Sequence, residues 1–376
     1  MKRYILFPAL LLAFAVCFSG CDKPAVPETS ESIRIGFIGP ITGPAAKYGA
    51  DKAALLALEE INAAGGVNGQ KLEFIMEDGR CEAKDALDAI NKLINVDNVQ
   101  VVLGGHCSPE TVAIAPVAEQ NQVLLLASLS SNPDIRTMGD YVFRTTAESV
   151  ARVPNTTQEM RETYNIEKLA ILSEETSYAR PIADGIAKGF EARGGSVVAF
   201  ESILPEDKDF RSQLLKVKQE NPDAIYISTQ APDKAILILQ QMQELGMEMQ
   251  IFGNESVGSI PLIEELGESA NGILFDSALY DKTQPEVAQF IEKYQSRYGS
   301  EPPYGLLTAE SYDAVYIIAQ AIDEVGTDPE KVRDYLYSVK EYHGASGTFG
   351  FDENGDVKRR FILSEIRDGR IVQLAD

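Results

Sequence analysis

From Ile33 onward, two hydrophobic periodicities alternate along the chain. Ile33-Arg-Ile-Gly-Phe-Ile38 is a short apolar run of the length a buried strand needs, and the segment 45–64 after it carries Leu55, Leu56, Leu58 and Ile61 at helical spacing. Gly65-Gly66 ends that helix, Asn68-Gly69 marks a turn, and 71–76 is the next strand. The pair then repeats, with helix 83–94 before strand 99–103 and helix 109–119 before strand 123–127. After Tyr141-Val-Phe-Arg144 the alternation starts again. Helices 150–163, 181–192, 210–219 and 235–245 precede strands 169–172, 197–200, 224–228 and 250–252. Helical crossovers between buried strands predict parallel sheets covered on both faces. Two such series predict an α/β protein with two doubly wound lobes.

The last third changes rhythm. Segments 286–298, 308–324 and 329–339 read as three helices, with no strand pattern between the first two. Gly347-Thr-Phe-Gly-Phe351 and 358–365 flank Asp352-Glu-Asn-Gly-Asp356, so Asn354-Gly355 predicts a hairpin turn, with a second turn at Asp368-Gly369. The Asp352 run brushes a calcium-loop pattern, but Val357 stands where that loop needs Gly and Leu363 where it needs Glu. It reads as a turn, not as a metal site.

The N-terminus is an address. Lys2 and Arg3 precede an apolar run from Ile5 to Val16, and the small pair Ser19-Gly20 sits before Cys21, the pattern of a signal peptide over 1–20. The run is too short for the roughly 20 residues of a membrane-spanning helix. Pro24-Ala-Val-Pro27-Glu-Thr-Ser-Glu-Ser32 has nothing to pack and reads as a tether over 21–32. The folded remainder is long enough that two domains are the default. The formal charge is −23, and losing Lys2 and Arg3 takes it to −25. Such a surface disfavours nucleic acid and offers no polybasic attraction to lipid, so an acyl group on Cys21 is the expected membrane contact. Cys81 and Cys107 then remain as a pair in an exported chain, which favours a disulfide. A zinc site is the rival reading, since His106 adjoins Cys107, but a structural zinc needs four ligands and His343 is the only other histidine.

Enzymatic chemistry has little to work with. The chain has two histidines and no Gly-x-Ser-x-Gly, His-Glu-x-x-His or Gly-x-x-x-x-Gly-Lys-Ser/Thr pattern, and Gly36-Phe-Ile-Gly39-Pro-Ile-Thr-Gly43 departs from the dinucleotide fingerprint. No enzyme, metal or cofactor is therefore expected. Polar loops do follow the strands, where parallel sheets gather ligands and helix N-termini aim N–H groups at anions. Ser108 fits an N-cap with Pro109 as first helical residue, and Ser128-Leu129-Ser130-Ser131 is loaded with hydroxyls. Both loops suit a carboxylate, though on spacing alone two ordinary capped helices are the favoured reading. Glu255, beyond strand 250–252, is placed to neutralise an ammonium group, or is a surface acid. Tyr48 and Tyr178 stand where they would wall a pocket, or pack locally.

Taken together, Ile35-Gly-Phe-Ile-Gly-Pro-Ile-Thr-Gly43, Tyr48-Gly49, Glu59-Glu-Ile-Asn-Ala-Ala-Gly-Gly-Val-Asn-Gly69, Cys81 with Gly104-Gly-His-Cys107, Asn132-Pro133, Phe143-Arg-Thr145, Tyr312-Asp-Ala314 and Gly347-Thr-Phe-Gly-Phe-Asp352 resemble the type I periplasmic binding proteins, in the leucine/isoleucine/valine-binding branch. The resemblance covers essentially everything from Ile33. It implies a Venus-flytrap fold with three crossovers, lobe 1 comprising 33–148 and 279–345 and lobe 2 comprising 149–278 and 346–376. It also implies a Cys81–Cys107 disulfide beside the ligand loop. An α-carboxylate would be held by Ser108, Ser130 and Ser131, with Leu129 lining the cleft, and an α-ammonium by Glu255. Tyr178 would close over the ligand, beside Tyr48. The function implied is capture of an amino acid for the permease of an ABC-type transporter by a monomer outside the cytoplasm, lipid-anchored, in the periplasm or on the outer face of the cytoplasmic membrane. A sensor of the same fold for a short amide or aromatic acid is the alternative. One departure stands out. The family's aliphatic-amino-acid binders carry an aromatic residue after the strand 224–228, where this chain has Thr229-Gln230-Ala231-Pro232, so Gln230 makes a roomier or more polar pocket.

Overall fold

The computed structural model describes residues 32–374; the expected signal peptide, tether and lipidated Cys21 lie outside them. The first series builds β1 (Ile33–Gly39), α1 (Ala50–Ala63), β2 (Leu72–Asp78), α2 (Ala83–Asn95), β3 (Val101–Gly104), α3 (Ser108–Gln120), β4 (Leu124–Ala127) and β5 (Val142–Arg144). These strands form one sheet in the order β2-β1-β3-β4-β5, every neighbour parallel. The second series gives α4 (Val153–Glu162), β6 (Lys168–Glu174), α5 (Ala179–Ala192), β7 (Ser196–Ile203), α6 (Arg211–Gln219), β8 (Ala224–Ser228), α7 (Pro232–Glu244), β9 (Gln250–Gly253), α8 (Ile260–Leu266) and β10 (Leu274–Ala278). Its sheet repeats the same order as β7-β6-β8-β9-β10, again parallel. Each sheet changes direction once, between β1 and β3 and between β6 and β8. Those reversals open a crevice at the strands' C-terminal ends.

The remaining elements are α9 (Pro285–Tyr298), α10 (Leu306–Val325), α11 (Pro329–Ser338), β11 (Tyr342–Gly344), β12 (Gly347–Phe349), β13 (Phe361–Arg367) and β14 (Arg370–Gln373). Helices α9 to α11 cover one face of the first sheet, where Phe290, Tyr312, Val315, Ile318 and Leu336 are buried with Phe37, Leu103 and Leu126. A second cluster around Ile90, Ile114 and Leu125 covers the opposite face. The second sheet is covered likewise, by Leu214, Ile238 and Leu262 on one side and Ile182, Ile186 and Phe190 on the other. Near-continuous apolar strands such as Val101-Val-Leu-Gly and Leu124-Leu-Leu-Ala are what two-sided burial requires.

Two sequence expectations change here. Strands β12 and β13 do not form a hairpin, because β12 pairs with β11 while β13 runs antiparallel to β10 in the other sheet. Asn354-Gly355 is nonetheless a turn, closed by Gly355 N–H to Asp352 O at 3.2 Å, with Gly355 at φ 72°. The boundary expected at 345/346 therefore moves. Phe349 and Phe351 are buried in the first lobe's core, Phe351 edge-on to Phe143 at 5.4 Å, and the chain crosses over near Val357 instead. Ala147 and Val357 pair as a parallel bridge, and Leu279 N–H donates to Arg360 O at 2.8 Å, so the three connections lie side by side.

Cys81 and Cys107 are bonded, with Cα atoms 5.3 Å apart and a sequence separation of 26. In the chain-entropy account, opening a loop of this size removes about 3–4 kcal/mol. The Cys81→Ser, Cys107→Ser double variant is expected to lose about that much in urea unfolding; a loss under 1 kcal/mol would show the loop to be held by its other contacts.

Candidate functional site

The crevice is walled from both sheets. Tyr48 follows β1, Ser108 follows β3, and Leu129 and Ser131 follow β4; Tyr178 follows β6, Gln230 follows β8 and Glu255 follows β9, and all seven line one cleft. The lobes meet across it. The Tyr48 hydroxyl donates to Gln230 O, the Asn132 amide to Ser177 O, and Lys47 pairs with Asp233, so the structure is closed. Ser130 is buried beside this wall without lining it.

The β3–α3 loop shows why Ser108 is free. Cys107, not Ser108, is the helix cap, one residue earlier than the sequence pattern predicts. Glu110 completes the cap, its carboxylate accepting from Cys107 N–H at 3.0 Å and from Cys81 N–H at 2.9 Å. Gly105, at φ 64°, allows the close turn: a Cβ there would sit 2.6 Å from Thr111 Oγ1. The Ser108 hydroxyl is thus released from capping, and it, Ser131 Oγ and Ser130 Oγ are buried without a hydrogen-bond partner. Hydroxyls left open at the positive end of a helix are suited to a carboxylate.

Across the cleft the charges are organised around a residue that the sequence pattern does not single out. Arg152, at the first turn after the crossover, is wholly buried and forks onto Glu255, Nη1 to Oε2 at 2.7 Å and Nη2 to Oε1 at 3.0 Å. The same Nη1 reaches Asp276, and Nε donates to Ser149 O at 2.7 Å. Tyr178 donates to Glu255 Oε2 at 2.8 Å and Tyr226 to Asp276 Oδ2 at 2.7 Å. Burial would lower the Arg152 pKa, but Glu255 and Asp276 drive it well above the ordinary value. Burial raises Asp276 to about 6 against the pull of Arg152. Two acids share one cation here, and only Glu255 lines the cleft, its side chain 14% exposed. A buried carboxylate held in place yet left under-neutralised is suited to an incoming ammonium group. Tyr178 therefore orients Glu255 as well as walling the cleft. Asp276 escaped sequence reading because it interrupts the strand Leu274-Phe-Asp-Ser-Ala278 with a polar residue.

His106, Tyr304, Glu310 and Arg359 also line the cleft and were not singled out for it. Burial pushes His106 down to about 3, so its imidazole is neutral. Among the described residues no cluster of His, Cys, Asp or Glu is arranged to hold a metal ion, and no helix is long and apolar enough to cross a membrane.

Several buried acids share one direction of shift. Burial raises Glu110 to about 7, Glu310 to about 8, and Asp276 and Asp313 to about 6, from ordinary values of 4.5 and 3.8. For an acid with a raised folded pKa, the stabilising contribution is full below the unfolded pKa and lost as pH rises through the folded one. Asp78 and Asp352 are shifted down, so their contribution is lost only as pH falls below about 4. The melting temperature is expected to fall from pH 5.5 to 8.5 at constant ionic strength, and a rise over that window would refute the assignment.

The geometry agrees with what this chain resembles. A family model described as periplasmic binding protein matches residues 32–370. The leucine-, isoleucine-, valine-, threonine- and alanine-binding protein of Pseudomonas aeruginosa is 32% identical over 333 residues, 88% of each chain. The Leu/Ile/Val-binding protein of Escherichia coli K12 is 26% identical over 345 residues, 90% of this chain and 92% of that one. Among solved structures, a leucine-binding protein from Thermotoga maritima superposes with a TM-score of 0.82 at 27% identity, over 91% of this chain and 98% of that one. A branched-chain amino acid transporter substrate-binding protein from Streptococcus pneumoniae, in complex with isoleucine, gives 0.82 at 26% identity, over 92% and 100%. With a match running through nearly the whole folded chain and a superposition over nine-tenths of it, this protein belongs to the periplasmic binding protein family, in its leucine/isoleucine/valine-binding branch.

Proposed function

We propose that this protein captures an L-amino acid in the cleft and delivers it to the permease of an ABC-type uptake transporter. The observation that carries this reading is the division of labour across the crevice. One lobe presents unpartnered hydroxyls at a helix N-terminus, and the other presents a carboxylate clamped by an arginine and a tyrosine. That pairing is complementary to a zwitterion, α-carboxylate to Ser108 and Ser131 and α-ammonium to Glu255. The likeness to amino-acid-binding relatives supports it.

The mechanism is hinge closure. A ligand shifts the open–closed balance only by its differential affinity for the closed state, and here the two halves of its head group would belong to different lobes. The three adjacent crossovers near Ala147, Leu279 and Val357 are the hinge. Under this reading the protein acts as a monomer, outside the cytoplasm, held to the membrane by an acyl group on Cys21, the only lipid contact its charge allows. Mass spectrometry of the membrane fraction would show a lipid adduct on Cys21; an unmodified N-terminus would remove the anchor.

The direct test is thermal unfolding of purified protein, stripped of bound ligand by unfolding and refolding, against the L-amino acids. A ligand at a hundredfold its dissociation constant adds about 2.7 kcal/mol, a readily seen shift. A response confined to L-amino acids supports the head-group assignment. No response to any of them would overturn it.

A further inference from the structure

One carboxyl in the cleft has no part in the head-group site. Glu310, in the second turn of α10, is fully buried and lines the cleft. Arg359 Nε lies 2.9 Å from its Oε1 and the Thr146 side chain is within hydrogen-bonding reach, but neither contact on the Glu310 oxygens is well directed, and the Arg359 Nε–H is itself unused. Arg359 cannot turn to serve it. Nη1 donates to Ser346 O at 2.7 Å, Nη2 to Ser346 Oγ at 2.9 Å and to Thr145 O at 3.2 Å, and the guanidinium lies over the Phe349 ring at 5.2 Å. The Glu310 backbone is fixed as well, its carbonyl accepting from Thr145 Oγ1 at 3.3 Å.

The other lobe offers a second open group. The Gln230 side-chain oxygen is buried without a partner, while its backbone N–H donates to Glu174 at 2.7 Å and its carbonyl accepts from Tyr48. A buried polar group left unsatisfied is costly, so both acquire value only when a ligand or water supplies the missing hydrogen bond. Burial pushes Glu310 up to about 8 against the pull of Arg359 and Thr146, and in its protonated form it can donate one hydrogen bond and accept others. The adjacent Arg359 cation disfavours a cationic ligand side chain, and the Glu255 carboxylate on the facing wall disfavours an anionic one.

We propose that Glu310 and Gln230 form a polar side-chain subsite, and that the amino acid held by this cleft carries a neutral hydroxyl or carboxamide instead of an aliphatic side chain. The inference rests on the head-group reading above. A cleft built to hydrogen-bond a ligand group discriminates strongly against the isostere that lacks it.

Isosteric pairs give the test: L-threonine against L-valine, and L-asparagine against L-leucine, titrated calorimetrically into the ligand-stripped protein. The polar member of at least one pair is expected to bind at least tenfold more tightly, and Glu310→Leu is expected to bring that ratio to within threefold of unity. Aliphatic members binding as tightly as their polar partners would overturn the inference while leaving the head-group reading intact. So would a ratio unmoved by Glu310→Leu. Should that variant fail to fold, Gln230→Leu decides on the same panel, where the ratio must also fall. Binding of no amino acid at all would overturn both readings together.

Discussion

Arg152→Met is expected to destabilise the protein by about 3–5 kcal/mol and to abolish ligand binding, the largest single effect in the molecule. Arg152 is the only cation hydrogen-bonded to either Glu255 or Asp276 among the described contacts, and Asp276 and the arginine are both fully buried. Removing it strands two carboxylates in a low-dielectric wall. They can respond only by taking up protons or by drawing water into the core. Urea unfolding measures the loss. A control separates the electrostatic cause from simple loss of packing against Phe361, whose ring lies 4.9 Å from the guanidinium. Arg152→Met combined with Glu255→Gln and Asp276→Asn removes the stranded charge and should recover most of the stability without recovering binding. A single variant losing less than 1 kcal/mol, or a triple variant no better than the single one, would contradict this account. Arg152→Lys should fall between, since an ammonium keeps the charge but not the fork that meets both Glu255 oxygens.

The second large effect is on affinity. The Ser131→Ala, Glu255→Ala double variant should lose a thousandfold or more in amino-acid binding while remaining folded. Truncating one partner of a desolvated charge pair costs about 2–5 kcal/mol, and a hydrogen bond to a charged group contributes about 1.5–3 kcal/mol. Together these come to about 3.5–8 kcal/mol, most of which lies at or above the roughly 4 kcal/mol of a thousandfold change. Stability should suffer less than in Arg152→Met, because Asp276 remains to pair the arginine. Isothermal titration beside urea unfolding distinguishes the two variants: one loses binding through the ligand's own contacts, the other through collapse of the wall that holds them. Unchanged affinity in the double variant would place the head group elsewhere.

What could be foreseen from the sequence was what depends on near neighbours along the chain. Apolar runs such as Val101-Val-Leu103 and Leu124-Leu-Leu-Ala127 can only be strands buried on both faces, and their alternation with helices dictates two parallel sheets. Once the sheets are parallel, the loops at the strands' C-terminal ends must carry the site, which is why Tyr48, Ser108, Ser131, Tyr178, Gln230 and Glu255 converge on one cleft. The Ser108 hydroxyl itself was harder to foresee, because capping competes for it; only the fold shows Glu110 taking that task.

Partnerships over long separations were decided by packing alone. Arg152 meets Glu255 and Asp276, 103 and 124 residues further on, through the spacing of α4 against a sheet assembled later in the chain. Strand β10 was missed because Asp276, needed to hold that arginine, breaks the apolar pattern by which buried strands are recognised. The Gly347–Phe349 strand went to β11 and not to β13 because Phe349 and Phe351 bury against the first lobe's core, a choice that no local turn signal encodes. Glu310 and Arg359 come from α10 and the third crossover, and they face the cleft only where the crossovers lie side by side. Periodicity along the chain determines which faces are buried. Which charges meet inside them depends on how elements far apart in the chain pack within each lobe and at the crossovers.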